Sequence, residues 1–421
     1  MAVGPAHAAT PVASPEGCEL VFPAAPSCRY VATQVASWVG NGPFHLRVAF
    51  TDGSGHLRTR YEVDQPSGPM SSVGLQDAQQ IGIGDTVTAE VTGPGGMLGV
   101  GNPGAVPHSG LHAGPVVPRL QGDTTPVHDP AVAADNGWYY LFSTGTGILV
   151  RRSHDLVHWQ ADGQVFANNL PPWAAKTVPG TEMPWAPDVS FFAGKWHLYY
   201  VISTFGAKRS VIGLATNVTL DRRDPRYAWH DEGPVLDSHE LTDASAVPTD
   251  YNALDPNVIL DASGAPHLVF GSFYGGLKVV PLDMATGKPV QPLAPVALAA
   301  NVQEYTAVEA SFMIRRDGWY YLFASYDYCC RGTDSTYNVR VGRSLRPEGP
   351  FVDDMGIPML AGGGRYVLSS RGDMRGPGHN AVLRRGNEFD IVFHWYDAAN
   401  NGAPTLGILS LHWSADGWPS T

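Results

Sequence analysis

No stretch of this 421-residue chain approaches 18 consecutive apolar residues, so no spanning helix is expected and no membrane partner. Positive charge is scarce. The 27 Lys and Arg stand against 39 Asp and Glu, a net charge of −12, which argues against a polyanionic partner such as nucleic acid. Charged residues make up only 16% beside 43% hydrophobic ones, a balance that suits a globular chain rather than a disordered one. Cysteine is limited to four residues. Cys18 and Cys28 could close a small loop by a disulfide in an oxidising compartment. Cys329 and Cys330 are adjacent, with Cα atoms about 3.8 Å apart, below the usual range of about 4.4–6.8 Å for a relaxed disulfide. The opening MAVGPAHAAT has AHA at residues 6–8, like the small-residue end of a secretory signal, but lacks the charged and apolar parts of one. The expectation is a secreted mature chain behind extraneous residues, with 1–14 a disordered start or signal remnant.

What the chain has in quantity is turn chemistry. The 48 Gly and 35 Pro are spread along its length and read as turns between many short strands. Residues 15–108 hold a single Trp, Trp38, and alternating runs such as HLRVAF and TVTAEVTG. They are expected to form a small antiparallel β-domain, whose role is either carbohydrate binding or purely structural. The Gly- and Pro-rich GNPGAVPHSG then reads as a linker to a second domain over 116–421.

In that second domain one plan recurs five times, in HDPAVAADNGWYYLFST, PDVSFFAGKWHLYYVIST, LDPNVILDASGAPHLVFGSF, VEASFMIRRDGWYYLFASYD and GHNAVLRRGNEFDIVFHWYDA. Each has a polar residue, a short apolar run, a turn, and an aromatic or β-branched run, which is a β-hairpin. The polar residues are Asp129, Asp188, Asp255, Glu309 and His379, separated by 59, 67, 54 and 70 residues. That leaves room for about two more strands per unit, so the expected fold is all-β, a five-bladed β-propeller preceded by the small antiparallel β-domain. Inner strands line the channel of a propeller, so matching positions converge. Four carboxyls and a histidine crowded at one axis repel or pair, a cost usually tolerated for chemistry. Paired carboxyls in a cleft suit glycoside hydrolysis, one protonating the leaving oxygen while another activates water or attacks. Glu309 precedes the apolar ASFMI and is the candidate for a carboxyl kept protonated.

The ordered set HDPAV, WAPDV, NALDPNV, VEASFMI, SYDYCCRG, STY, GPGHN and PTLGILSLHW…DGWP, spanning roughly residues 120–419, resembles family 43 of the glycoside hydrolases, and within it the endo-α-1,5-L-arabinanases. Any one of these motifs is weak; the CCRG…STY and PTLGI…DGWP elements are the more specific. The resemblance implies an inverting hydrolase acting on linear or debranched arabinan and arabino-oligosaccharides. In it Asp129 is the general base, Glu309 the general acid and Asp255 the carboxylate that orients the acid and raises its pKa by repulsion. An exo-acting arabinofuranosidase or xylosidase of the same family is the alternative, and a sugar-binding propeller without catalysis a more distant one. Ala310 stands where many relatives have Gly, and Asp188 is read as structural. The resemblance also implies that His379 helps hold a calcium ion, mostly through waters. Trp185, Phe273 and Tyr274 are expected to line the sugar groove, with Asn252 and Ser272 bonding hydroxyls, whereas Trp138, Trp319, Tyr320 and Tyr321 read as blade packing. Cys329 and Cys330, leaving blade four on the face of the acid, are expected beside the cleft. They are either a disulfide that presents an apolar knob to a sugar and holds Arg331, or a free thiol pair.

Overall fold

The computed structural model describes residues 118–240, 249–301 and 307–421, and the backbone of seven strands between 29 and 108. The expected pairing of Cys18 with Cys28 lies outside the described residues. The chain divides into two compact units at Val116/Val117. In the first, Arg29–Val39 pairs antiparallel with Met70–Ile81, Met97–Gly99 and Val106–His108, and Phe44–Thr51 pairs antiparallel with Leu57–Gln65 and Thr86–Thr92. It is the small antiparallel β-domain.

The second unit is a five-bladed propeller. Its inner strands are Ala131–Asp135, Trp185–Phe192, Asn257–Leu260, Val308–Arg316 and Met374–Arg385, each the edge of its own sheet, antiparallel throughout except where Gln121–Gly122 adds a parallel strand at the outer edge of the first. Each inner strand neighbours the next, and the fifth neighbours the first, so the ring closes. Tight hairpins start three of the blades: Asn136–Gly137, Ala193–Gly194 and Asp317–Gly318 each carry two positive φ angles (49° and 79°, 48° and 78°, 49° and 86°), which suits the twist of the flanking strands.

The second strands read as near-continuous apolar runs because both of their faces are covered. Tyr140 and Phe142 of Trp138–Ser143 pack with Leu198 and Tyr200 of blade two, while Leu141 between them packs with Val392 and Leu406 of blade five. The same division, set by the period of two, gives a separate core at each of the five blade junctions. The junction of blades five and one is also stitched by backbone bonds, Val127 N–H to the Pro404 carbonyl at 2.9 Å and Leu406 N–H to that of Thr124 at 3.0 Å.

The repeat has a different register from the one its charges suggest. Each inner segment has one non-glycine residue in the left-handed region: Asp129, Ala186, Asp255, Ala310 and His379, with φ between 43° and 54°. Their separations are 57, 69, 55 and 69 residues. Asp188 therefore does not match Asp129; Ala186 does. Glu309 lies one residue before its blade's kink. The kink, a bulge in the pairing of blades two, four and five, decides equivalence, and side-chain charge does not. In four blades the amide of the kinked residue is held from the preceding blade: Ala186 N by Thr144 Oγ1, Ala310 N by Asp255 Oδ2, His379 N by Ser325 Oγ, and Asp129 N by His394 Nδ1. Asp188 has the structural role expected of it. Its carboxylate accepts from Asn257 Nδ2 at 2.9 Å and Val258 N at 3.1 Å, pinning blade two to blade three.

Candidate active site

The kinks aim Asp129, Asp255 and His379 at the axis, and Glu309 joins them from the adjacent position; the three acids are all buried. Asp129 Oδ1 lies 2.8 Å from His128 Nδ1 and 3.0 Å from His379 Nδ1, and its Oδ2 accepts from Thr144 Oγ1 at 2.5 Å. Burial pushes this carboxyl up, but the charges and hydrogen bonds of His128 and His379 outweigh it and hold Asp129 well below the usual carboxylate range. It is an ionised acceptor at neutral pH.

Glu309 is the opposite case. Its Oε2 accepts from Ser272 Oγ at 2.6 Å and its Oε1 from the buried Tyr337 hydroxyl. Burial pushes it above the ordinary value of 4.5; those two bonds and His379 pull against the shift, and Asp129 adds to it. Asp255 is pushed up to about 8, first by burial and then by the charges of Glu309 and Asp129, against the pull of His379 and of the Ala310 amide on its Oδ2 at 2.9 Å. Asp255 and Glu309 are thus two buried carboxyls that oppose each other's ionisation, and Asp255 also holds the acid mechanically, through the amide of the next residue. His379 loses by burial but gains more from Asp129, and is pushed up to about 9.

The other expected site residues are placed as follows. Ser272 is buried and its hydroxyl is directed to Glu309, so it stands beside the acid rather than open to a sugar. Asn252 is also buried, and accepts from Ser238 Oγ at 3.2 Å. Phe273 and Tyr274 both have positive φ; the Phe273 amide donates to the carbonyl of Val308, next to the acid, and its ring lies 6.0 Å from that of Tyr328. Tyr274 is exposed, with Lys208 Nζ 5.2 Å from its ring. Trp185 is half-buried against the core between blades two and three. Cys329 and Cys330 are bonded to each other, and Cys330 Sγ lies 3.8 Å from His128 Nε2, at the edge of the acid cluster. Arg331 is exposed and stacks 4.1 Å over Tyr328.

Sequence reasoning assigned no role to Tyr337, His128 or Tyr396. The signal for Tyr337 was present in the pairing of STY with GPGHN. A Cβ on Gly378 would lie 2.1 Å from Tyr337 Cδ2, and one on Gly376 2.5 Å from Ser335 Cβ. The glycines of one motif make room for the side chains of the other. His128 was visible beside Asp129, whereas Tyr396 reaches His128 Nε2, at 2.9 Å, from 268 residues away.

Calcium prefers oxygen ligands, six to eight of them. His379 offers nitrogen, and its Nδ1 already faces Asp129. Among the described residues, the compact donor groups are His128, Asp129 and His394, and His128 with the two cysteines, both poor in oxygen. The residues around His379 therefore suit only a calcium ion whose other ligands are mostly water.

An ionised carboxylate and a carboxyl that resists ionisation, gathered at one axis, are the two parts that hydrolysis of a glycoside requires. Residues 120–419 match the family described as glycosyl hydrolases family 43. The extracellular exo-α-(1→5)-L-arabinofuranosidase ArbA of Cellvibrio japonicus is 38% identical over 303 residues, covering 70% of this chain and 85% of the relative. The extracellular endo-α-(1→5)-L-arabinanase 1 of Bacillus subtilis is 37% identical over 298 residues, covering 70% and 87%. The Cellvibrio cellulosa α-L-arabinanase, solved with arabinohexaose, superposes with a TM-score of 0.67 at 36% identity, covering 70% of this chain and 95% of that one. The acids at the axis, the five blades and the matched sequence agree: this chain belongs to family 43 of the glycosyl hydrolases.

Proposed function

We propose that this protein is a secreted endo-acting hydrolase of α-1,5-linked L-arabinan that works by single displacement with inversion. The observation that carries the reading is the opposite proton demand of Asp129 and Glu309 within one buried cluster. Asp129 takes a proton from water as the water oxygen bonds to the anomeric carbon. Glu309 gives its proton to the leaving oxygen as the glycosidic C–O bond breaks. Asp255, through the Ala310 amide, holds the backbone that carries the acid. Ser272 and Tyr337 hold the two oxygens of Glu309 and keep its carboxyl from turning. A calcium ion held by His379 with waters would supply positive charge beside the acids and favour their ionised forms. Calorimetric titration with calcium after chelation tests that site; no heat and an unchanged melting temperature would remove it.

Secretion rests on the relatives from Cellvibrio and Bacillus, both named extracellular. Endo action is supported by the Bacillus relatives, named endo-arabinanases. The second reading is exo action, favoured by ArbA and by an exo-1,5-α-L-arabinanase from a bovine ruminal metagenomic library that is 40% identical with a TM-score of 0.67. Digestion of debranched arabinan decides between them. Early oligosaccharides with a rapid fall in viscosity are expected; release of one small product from the chain end, with viscosity maintained, would establish the exo reading. Proton NMR in the first minutes should show a β-anomeric product. An initial α product would refute single displacement.

A further inference from the structure

A line of hydrogen bonds runs from the adjacent cysteines to Asp129. The Cys330 amide donates to Tyr396 Oη at 2.7 Å. That oxygen being an acceptor there, its own proton is free for a second partner, and His128 Nε2 lies 2.9 Å away. The other ring nitrogen, His128 Nδ1, is 2.8 Å from Asp129 Oδ1. A carboxylate only accepts, so Nδ1 carries a proton directed at Asp129, and Nε2 is tied to the Tyr396 hydroxyl. The directions are consistent along the whole line. His394 steadies it from the side: its ring stacks on His128 with centroids 3.9 Å apart, while its Nδ1 accepts the Asp129 amide at 3.1 Å. Cys330 Sγ, 3.8 Å from His128 Nε2, covers the outer edge of the imidazole.

We propose that the Cys329–Cys330 disulfide positions the Asp129 carboxylate through Tyr396 and His128, with the Nδ1 proton of His128 held on Asp129. The proposal rests on Asp129 acting as the general base. The bond between neighbouring side chains removes rotational freedom from the peptide that joins them, and the amide of that peptide is the first donor of the line. Tyr396 and His128 are positioning residues: they set where the base stands and leave proton transfer to it. A dithiol reductant would deliver two electrons and two protons to the sulfurs, becoming a cyclic disulfide itself, and would free the first link. This differs from a knob that presses on a sugar. Loss of a sugar contact raises KM, whereas loss of base positioning lowers kcat.

The test compares wild type, Tyr396→Phe, and wild type reduced with dithiothreitol. On debranched arabinan, kcat should fall about 3- to 10-fold in both altered forms, the size of one lost hydrogen bond, with KM within about twofold of wild type. In protein labelled with ¹⁵N-histidine, with His128 assigned from a His128→Gln variant, wild type should show a single fixed Nδ1–H signal for His128. Both altered forms should show that signal shifted or broadened as the ring loses its fixed partner on Nε2. Unchanged kcat with unchanged His128 signals in both forms would overturn the proposal. So would a raised KM at constant kcat on reduction, which would make the cysteines a sugar contact. Should wild type leave arabinan intact, the hydrolase reading falls, and the ¹⁵N signals still decide the line: an unaltered His128 in Tyr396→Phe refutes it.

Discussion

Tyr337 donates its buried hydroxyl to Oε1 of Glu309, 28 residues earlier in the same blade, and its ring reaches that place across a position where blade five has Gly378 instead of a side chain. The bond favours the ionised form of the acid, against the upward push of burial. Tyr337→Phe should therefore raise the Glu309 pKa further. The alkaline limb of kcat/KM moves to higher pH, and kcat falls about 3- to 10-fold because the acid is freer to turn. An alkaline limb that stays in place or moves down would show that the hydroxyl does not act on Glu309.

Gly378→Ala should have a similar effect from the other side. A Cβ there meets the Tyr337 ring at 2.1 Å, a distance that forces the ring to shift. The expected outcome is the alkaline shift of Tyr337→Phe together with a loss of roughly 1–3 kcal/mol in stability, the usual penalty of overpacking. Denaturant unfolding and a pH–rate profile on the same preparation read both, and a variant with wild-type stability and profile would contradict the packing.

Glu309→Gln and Asp129→Asn should each lower the rate on unactivated arabinan by about 10²- to 10⁴-fold, with the fold retained. The wild-type profile follows from the directions of their shifts. Asp129 is held below the usual carboxylate range, so the acidic fall begins only at low pH, and Glu309 is held above 4.5, so the alkaline fall follows the loss of its proton. A variant that keeps more than about a tenth of the rate would lose its assigned role.

Asp255→Asn separates activity from stability. The native carboxyl titrates near 8 against 3.8 in an ordinary environment. Between those values the native state binds more protons than the unfolded one, so this group makes stability fall as pH rises. Asparagine can still accept the Ala310 amide but cannot ionise. The variant should match wild type in stability below about pH 4 and exceed it increasingly up to about pH 8, by up to about 1.4 kcal/mol per pH unit, while hydrolysing more slowly because it no longer opposes ionisation of Glu309. Urea midpoints at pH 4, 6 and 8 measure the trend; a stability difference that does not vary with pH would mean Asp255 is not a buried acid.

Ala310→Gly should be neutral to stabilising, by up to about 1 kcal/mol, because Ala310 has φ of 54°, a conformation that disfavours a Cβ. The departure noted in the sequence at this position thus marks the kink of blade four. Ala310→Val, β-branched at the same angle, should lose stability by more than that amount. Thermal unfolding of the two variants gives the answer, and equal melting temperatures would sink the argument.

The propeller was legible because its cause is local. A strand covered on both faces must be apolar throughout, as WYYLF and WHLYYVI are, and the turns before such strands carry glycine at positive φ, as NG, AG and DG in three blades and Gly264 and Gly386 in the other two, so five hairpins could be counted directly. Asp129, Asp255, Glu309 and His379 could be picked out together because an inner strand carries its polar residue to the axis whatever surrounds it. The register of the repeat was not legible: Asp188 looks like Asp129 in sequence, but the kink that defines the position falls on Ala186, and a kink depends on pairing with a second strand. Nor could sequence direct Ser272 toward Glu309, place Tyr337 over Gly378, or bring Tyr396 to His128 across 268 residues. Periodicity records which face of a strand is buried, which each segment determines by itself. Which atom a buried hydroxyl meets, and hence the proton held by each acid, depends on closure of the ring, when blades from opposite ends of the chain come into contact.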